Sequence, residues 1–347
     1  GTGYLPQGTY KVTSQLLIDL AGALTTGITL IGDGTQTSVI DVSTVSAEPQ
    51  VKIYASGGTT GSPVSQANSK FLGIGITGSK NGKVLQVGQT DFSDYLNQNE
   101  FQLTVTNAVN GASVKTVQLN ALYSCKGRIN TVAGGTLTTG SIGIEFTKVA
   151  FCELLIGSAN VDYGMKLTGD YVYGNDLTAC NLEVVNYSVW IAGANVTDNT
   201  WHGGTFGFNT NGVKATAGSN NVFINPNINS AQPFLMTGAN AVGVYLWKPS
   251  RDCAIEVFSP VNGGTMNITK PFNYIAAAGT IASGFINLPG NIHDGYKVEF
   301  RSFYEITGVS LAAASGDTIF ETIVTFPANT SRSYVYRLSD RTWYRMS

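Results

Sequence analysis

Apolar and polar positions recur with a period of about two dozen residues through the middle of the chain. Segments beginning at Asn120, Thr147, Asn175, Asn199 and Asn221 align at intervals of 27, 28, 24 and 22 residues. The third position of each segment is apolar: Leu122, Val149, Leu177, Trp201 and Phe223. Short alternating segments of this kind predict β-strands. A repeat of this length predicts that each unit is one rung of a solenoid.

A second alternating element lies later in each repeat and predicts another strand per rung. Its members are residues 143–146, 164–167, 188–191, 212–215 and 243–246. One rung cannot bury its own apolar side, so the rungs stack, and equivalent residues then form ladders with steps of ~4.8 Å along the axis.

The rung pattern stops near residue 273, and later segments alternate in another way. We therefore predict an all-β chain. Residues 1–273 form a right-handed, single-stranded parallel β-helix, the part of the chain in which we expect a binding or catalytic site. Residues 274–347 form a small antiparallel, sandwich-like module that caps the helix or contacts a partner subunit, because an open β-helix end exposes unpaired backbone.

Three of the four cysteines fall at one position of this alignment. Cys125, Cys152 and Cys180 are therefore predicted to stack on consecutive rungs as a small buried ladder. Four cysteines are too few for a disulfide scaffold in a chain of 347 residues. A metal or redox role is the alternative interpretation.

Composition agrees with strands and turns and excludes several partners. Charged residues make up 12%, and the net charge is −2 without any run of Lys or Arg, so no nucleic-acid partner is expected. No apolar segment reaches the ~18 residues that would span a bilayer, and no signal peptide is visible. No cofactor motif is present, and no metal is expected. The chain begins Gly-Thr-Gly, which we interpret as a fragment lacking its N-terminal part.

The opening of the chain resembles a known superfamily. Residues 4–10 (YLPQGTY), 27–34 (GITLIGDG) and 39–41 (VID) resemble the first rungs of pectate-lyase-like β-helices, in the style of bacteriophage tailspikes and capsular polysaccharide depolymerases. The resemblance implies a homotrimer, attached to the phage virion at the tail through the missing N-terminal region. It also implies recognition and endo-cleavage of bacterial capsular or O-antigen polysaccharide at the cell surface.

The motifs of pectin-cleaving relatives are absent. The chain has no Asn-Thr-Asp, Gly-Asp-Asp or Gly-His-Gly motif and no Arg-x-Pro-x-x-Arg pattern. Pectin is therefore not the expected substrate, and no catalytic residue can be assigned by motif.

Hydrolysis of a glycosidic bond requires two carboxyl groups, one acting as general acid and one as base or nucleophile. On the outward side of the first strand the alignment puts Glu153 and Glu183 one rung apart and two residues out of step. Their Cα atoms would be roughly 8 Å apart, which suits an inverting pair. Lys126 and Arg128 on the same side would hold an acidic sugar. The alternative is an ordinary solvated ladder of charges.

The longest repeat carries a second candidate, in residues 169–176. Asp170 and Asp176 are alternative catalytic carboxylates, and Tyr171 and Tyr173 would stack on sugar rings. The alternative is a loop whose tyrosines pack on the next rung.

The second strand presents an outward ladder that predicts a carbohydrate groove or a subunit contact. Its members are Glu145, Lys166, Trp190, Lys214 and Tyr245. Trp201 points inward. His202, beside it, points outward, either for acid–base chemistry or as an ordinary surface histidine.

These observations favour an endo-glycosidase that hydrolyses bacterial polysaccharide. A lyase acting on an acidic glycan, with a Lys, Tyr or His base, is the second hypothesis. A non-catalytic receptor-binding tail fibre is the third, favoured by the low density of carboxylates. A secreted bacterial or fungal wall enzyme is disfavoured by the missing motifs.

Overall fold

The computed structural model describes the backbone of most of the chain. The described ranges are 1–21, 26–178, 180–183, 186–224, 226–236, 242–248, 253–277, 279–290 and 294–346. Side chains are described in the same ranges except at 170, 208–211, 228–236, 242–248 and 253–255. The chain divides into two compact units, residues 1–213 with 226–233 and residues 214–225 with 234–347. The boundary predicted at 273/274 rests on where the rung pattern stops, and it stays a prediction.

Residues 1–215 form strands wherever Thr, Val, Ile and aromatic residues alternate with polar ones. In chain order they are β1 (Thr2–Leu5), β2 (Gly8–Lys11), β3 (Leu16–Asp19), β4 (Thr29–Gly32), β5 (Ser38–Asp41), β6 (Val51–Tyr54), β7 (Val64–Ala67), β8 (Lys70–Gly78), β9 (Lys83–Val87), β10 (Asp94–Asn97), β11 (Glu100–Asn107), β12 (Lys115–Leu119), β13 (Leu122–Tyr123), β14 (Lys126–Ala133), β15 (Ile142–Ala150), β16 (Glu153–Ala159), β17 (Tyr163–Tyr173), β18 (Asp176–Thr178), β19 (Asn181–Glu183), β20 (Tyr187–Ile191), β21 (Val196–Thr197), β22 (Thr200–His202) and β23 (Thr205–Ala215).

These strands pair in parallel and build three faces, each strand lying against its equivalent on the next rung. The first face contains β3, β6, β9, β12, the first halves of β15 and β17, and β20. The second face contains β7, β10, β13, the ends of β15 and β17, and β21. The remaining strands form the third face. Such a stack leaves no isolated apolar surface within a rung, because the neighbouring rungs cover it.

Each rung passes from the second face to the third through a corner of two residues. The first corner residue has a left-handed backbone, with φ between 50° and 64°, in Asn68, Gln98, Ser124, Phe151, Gly174 and Asp198. The second is small and buried, and the set is Ser69, Asn99, Cys125, Cys152, Asn175 and Asn199. We call this second set the corner ladder.

Hydrogen bonds join successive members of the corner ladder. The backbone N–H of Cys125 donates to Sγ of Cys152 at 3.4 Å, and the N–H of Cys152 donates to Oδ1 of Asn175 at 3.0 Å. Both N and Nδ2 of Asn175 donate to Oδ1 of Asn199, at 3.3 and 2.8 Å. The buried backbone donors of the corner are thereby satisfied from the next rung, as buried amides require.

Apolar ladders fill the interior between the faces. One ladder on the third face consists of Phe71, Phe101, Gly127, Leu154, Leu177 and Trp201 in register. The rings of Phe71 and Phe101 stack at 5.9 Å between centroids. Gly127 interrupts the ladder because its backbone has φ +140° and a Cβ there would lie 1.9 Å from the carbonyl oxygen of Phe101. The side chains in this ladder are fully buried.

The second unit has its own strands and its own core. Its strands are β24 (Ser219–Ile224), β26 (Val242–Lys248), β27 (Cys253–Phe258), β28 (Gly264–Asn267), β29 (Phe272–Ile275), β30 (Gly284–Asn287), β31 (Lys297–Ser302), β32 (Val309–Ala312), β33 (Thr318–Phe320), β34 (Thr330–Arg337) and β35 (Thr342–Arg345), while β25 (Asn227–Met236) is shared between the units. Phe300, Phe326, Tyr334 and Trp343 are buried in its core.

The predicted fold class is confirmed: an all-β parallel β-helix and a separate small C-terminal sheet. The C-terminal sheet is mixed, since β31, β34 and β35 pair antiparallel while β27, β29 and β31 pair in parallel. In the described part of the chain no helix is long and apolar enough to cross a membrane.

The predicted stack of three cysteines is only partly correct. Cys152 follows Cys125 on the next rung, but the position after Cys152 is Asn175, because β18 places Asp176 beside Glu153. Cys180 lies five residues further along, next to the position of Gly204. All three cysteines are buried and free.

We expect Asn175→Ala to lower the free energy of unfolding by about 2–4 kcal/mol, because it removes a buried side chain that satisfies two other rungs. Besides its bonds to Cys152 and Asn199, Nδ2 of Asn175 donates to the carbonyl of Val149 at 2.8 Å. Urea unfolding followed by circular dichroism measures the change. The matched control is Asn181→Ala at an exposed position, which should change stability by at most about 0.5 kcal/mol. Equal effects of the two substitutions would contradict the role of the corner ladder.

Two of the buried cysteines, Cys152 and Cys180, should resist alkylation in the folded protein. Burial raises the pKa of the Cys180 thiol to about 12, and burial together with the neighbouring Cys125 raises the pKa of Cys152. Because a raised pKa keeps the thiol neutral as the pH rises, little reactive thiolate exists at pH 8. Iodoacetamide at that pH should leave these residues unmodified until guanidinium is added, as read by peptide mass spectrometry. Fast modification of native Cys180 would show that this position is open.

Candidate active site

A hollow of about 440 Å³ lies on the second face, beside the corner. Four rungs contribute its walls, through Tyr95, Asn97, Leu122, Tyr123, Lys148, Ala150, Tyr171 and Tyr173. Asn97, Tyr123, Ala150 and Tyr173 are equivalent positions on consecutive rungs, so the stacking itself assembles this wall. We call this hollow the aromatic pocket.

Three aromatic rings form a row along the edge between the aromatic pocket and the corner. The ring of Phe151 meets those of Tyr123 and Tyr173 edge to face, with centroids 5.3 and 5.0 Å apart. Phe151 is the left-handed corner residue of its rung and is 46% exposed, and Tyr123 is 40% exposed. Exposed rings in a row provide apolar faces on which the C–H groups of a sugar can pack.

Lys148 occupies the middle of the pocket among aromatic rings. Its Nζ lies 4.7 Å from the ring centroid of Phe92, 4.6 Å from that of Tyr95 and 5.3 Å from that of Tyr171. It also donates a hydrogen bond of 2.9 Å to Oη of Tyr95. Cation–π contacts of this kind hold an ammonium group without neutralising its charge.

Two carboxylates lie together on the other side of the corner, at the start of the third face. Glu153 of β16 is directly in register with Asp176 of β18. Adjacent parallel strands are ~4.8 Å apart, so the two side chains project side by side. Lys126 precedes Glu153 in the same outward row. Ala150 and Tyr173, which line the aromatic pocket, each lie three residues before one of these carboxylates, so the two-residue corner separates the pair from the pocket.

Asp176 is oriented by two further contacts. Oγ1 of Thr178 donates to its Oδ1 at 3.1 Å, and Nε2 of His202 lies 3.5 Å from the same oxygen. The pairing of β22 with β18 places His202 in register with Thr178, so its ring lies close to Asp176. The carboxylate of Glu153 has no hydrogen bond or ion pair with the part of the chain that the structure describes, while its backbone N–H donates to the carbonyl of Cys125 at 2.9 Å.

The predicted pairing of Glu153 with Glu183 is wrong. Glu183 is in register with Ala159, six residues beyond Glu153 on the same strand, a distance of roughly 20 Å at 3.3 Å per residue. It accepts a hydrogen bond from Asn181 at 3.2 Å. The error arises from aligning Cys180 with Cys152, which shifted this rung by five residues. The alternative loop candidate, Asp176, is the residue that the register brings to Glu153.

The other acidic candidates differ in their surroundings. Glu145 was predicted to point outward, but it is only 3% exposed. Its Oε2 forms an ion pair with Nζ of Lys115 and accepts a hydrogen bond from Nε2 of Gln118, both at 2.7 Å. A buried carboxylate needs such partners, and they leave no room for a sugar. The side chain of Asp170 lies outside the described residues.

The ladder predicted on the second strand of each repeat lies on the first face. Its members Glu145, Lys166 and Trp190 are in register on consecutive rungs, as predicted. Nζ of Lys166 lies 3.9 Å from the ring of Trp190, which is 4.8 Å from the ring of Tyr163. Lys214 is half-buried in β23.

The prediction that Tyr245 follows Lys214 in this ladder is wrong, because Tyr245 is in register with Val222. Its side chain lies outside the description.

A second hollow of about 320 Å³ continues along the corner toward earlier rungs. It is lined by Asn68, Lys70, Gln98, Glu100, Ser124 and Lys126. Within it, Nζ of Lys70 is 3.3 Å from Oε2 of Glu100. Arg128, two residues beyond Lys126, is exposed and donates to Asn130 at 3.4 Å. The corner thus carries cations on one side of the carboxylate pair.

Sequence reasoning missed the residues that complete the pocket: Phe92, Tyr95, Tyr123, Lys148 and Phe151. Tyr123 is the last residue of β13, and Phe151 is the first residue after β15. An aromatic residue at the end of an aligned strand was therefore the signal that could have identified both. Lys148 had no such signal, because its partners Phe92 and Tyr95 are more than 50 residues away in the chain.

No group of three or more His, Cys, Asp or Glu residues that could hold a metal ion occurs among the described residues. No protein-family model and no curated protein matches the chain. A similar solved structure is the catalytic unit of a thermostable GH87 alpha-1,3-glucanase from Streptomyces thermodiastaticus strain HF3-3. The sequences are 14% identical, the match covers 72% of this chain and 60% of that one, and the TM-score is 0.24. This likeness bears on neither the site nor the substrate.

Proposed function

We propose that the protein cleaves a bacterial surface polysaccharide, capsule or O-antigen, by endo-acting glycoside hydrolysis at Glu153 and Asp176. The observation that carries the proposal is the register of these two carboxylates on adjacent rungs, across the corner from the aromatic pocket. Two carboxyl groups at close range are the minimum equipment for this reaction. The rings of Tyr123, Phe151 and Tyr173 provide a place for the adjoining sugar.

The spacing favours hydrolysis with retention of anomeric configuration. The backbones of Glu153 and Asp176 are one strand spacing apart, ~4.8 Å, so their carboxyl groups can reach the separation of about 5–5.5 Å that retaining enzymes use. Asp176, oriented by Thr178 and His202, is assigned as the nucleophile that attacks the anomeric carbon. Glu153 protonates the departing glycosidic oxygen and then, as a base, takes a proton from the water that releases the sugar.

The biological setting that we propose is the tailspike of a bacteriophage. It is supported by the resemblance of residues 4–10, 27–34 and 39–41 to such proteins and by the low-charge, Thr-, Asn- and Gly-rich rungs. In this setting the chain is a homotrimer that is attached to the virion and acts at the bacterial surface.

We expect Glu153→Gln and Asp176→Asn each to reduce cleavage at least about 100-fold, because each removes a group that transfers a proton or forms a bond to the sugar. A panel of capsular and O-antigen polysaccharides is incubated with the protein, and chain length is followed by size-exclusion chromatography. Both side chains lie at the surface, so melting temperatures should stay unchanged. The matched control is Glu183→Gln, an exposed glutamate on the same face, which should stay within about twofold of the unmodified protein.

Three results would contradict this assignment. If Glu183→Gln abolished cleavage as Glu153→Gln does, the pair predicted from the sequence would be favoured. Proton NMR of the first product should show the anomeric configuration of the substrate, and inversion would exclude Asp176 as nucleophile. Binding without shortening of any polysaccharide would favour a non-catalytic receptor-binding fibre.

A lyase is the second candidate, favoured by the hydrogen bond between Lys148 and Tyr95. An amine and a phenol 2.9 Å apart are groups that can remove a proton beside a sugar carboxylate and return one to the leaving oxygen. Elimination would leave an unsaturated uronate that absorbs ultraviolet light. In that case Lys148→Met and Tyr95→Phe, not the carboxylate substitutions, should abolish cleavage.

A further inference from the structure

The aromatic pocket contains a cation, Lys148, whose charge is balanced by no acidic side chain among the described residues. Lys148 is half-buried, and no carboxylate lies within ion-pair distance of its Nζ in the described part of the chain. Its polar contact there is the phenol of Tyr95, which accepts one hydrogen bond from an ammonium group that has three to donate. The surrounding rings stabilise a cation but supply no negative charge.

The lining of the aromatic pocket shows the same imbalance. Its polar members are an asparagine, a lysine and four tyrosines, with no aspartate or glutamate among them. The second hollow along the same corner, by contrast, contains a glutamate, Glu100, which is paired with Lys70. Among the described residues, the hollow with the exposed rings therefore has a lysine in its lining and no carboxylate.

We infer that the aromatic pocket binds a negatively charged sugar unit, whose anionic group pairs with Lys148 while its ring packs on the row of Tyr123, Phe151 and Tyr173. An ammonium is a point charge and accepts carboxylate, phosphate or sulfate alike. The inference rests on the proposed function, since the pocket lies across the corner from the cleaving pair. It narrows the substrates to acidic polysaccharides with the charged unit next to the cleaved bond.

The test uses the whole chain with Glu153→Gln, which should bind without cleaving, and a panel of acidic and neutral capsular polysaccharides and O-antigens. The expected result is that the glycans bound are acidic. Adding Lys148→Met should weaken binding at least about tenfold, the loss expected for one charge-assisted hydrogen bond. Lys148→Arg should retain most of the affinity, and Lys11→Met, at an exposed lysine on β2, is the matched control that should have no effect. Circular dichroism checks that each variant is folded.

Chemical modification of the bound glycan separates the sources of charge. Reduction of its carboxyl groups to alcohols should abolish the effect of Lys148→Met if a uronate or other carboxylated sugar fills the pocket. If the effect survives reduction, phosphate or sulfate supplies the anion, and the inference holds with that group.

The outcomes that overturn the inference differ from those that overturn the proposed function. Tight binding or cleavage of a neutral glycan, or full affinity in folded Lys148→Met, would exclude the charged unit while leaving hydrolysis at Glu153 and Asp176 intact. If no glycan in the panel were bound or cleaved by the unmodified protein, the proposed function would fail and this inference with it.

Discussion

The hydrogen bond from the backbone of one corner to a buried side chain of the next is the interaction on which the rest of the structure depends. A left-handed residue at each corner costs about 1–2 kcal/mol unless it is glycine, and the turn also leaves a buried N–H group without a partner in its own rung. Asn175, accepting from Cys152 and bonding Asn199, resolves that deficit. Because the bonds run between rungs, they hold the second and third faces of the rungs that they join in one register.

The same corner sets the geometry of the chemistry. Residues just before it line the aromatic pocket, and residues just after it start the outward row that contains Glu153 and Asp176. Neither carboxylate depends on a long loop, since each is the first residue of a strand whose position the neighbouring strand determines. A site held by strands keeps its distances better than one held by loops. This explains how two exposed side chains can maintain a spacing that suits catalysis.

The sequence was sufficient for the fold and for half of the site. Apolar periodicity is a property of single residues, so the rungs, the inward Trp201 and the outward rows were readable. The equivalence of Cys152 and Asn175 could not be recognised in the same way, because a thiol and an amide are different residue types. Both nevertheless have the same role in the corner, as small acceptors for a buried N–H group. Because Cys180 is the same residue type as Cys152, the alignment matched these two positions, and it therefore missed that Asp176 is the neighbour of Glu153. Lys148 was missed since its aromatic partners are distant in sequence.

Gly127, which interrupts the apolar ladder of the third face, limits the substitutions that this protein can accept. Above and below it the interior positions accept rings and branched chains, so those rungs can exchange one apolar residue for another. At Gly127 the backbone itself fills the space, within reach of the carbonyl of Phe101, and no side chain can be added. In this ladder it therefore separates the two phenylalanines from the leucines and the tryptophan that follow, and the rungs of Glu153, Asp176 and His202 all come after it.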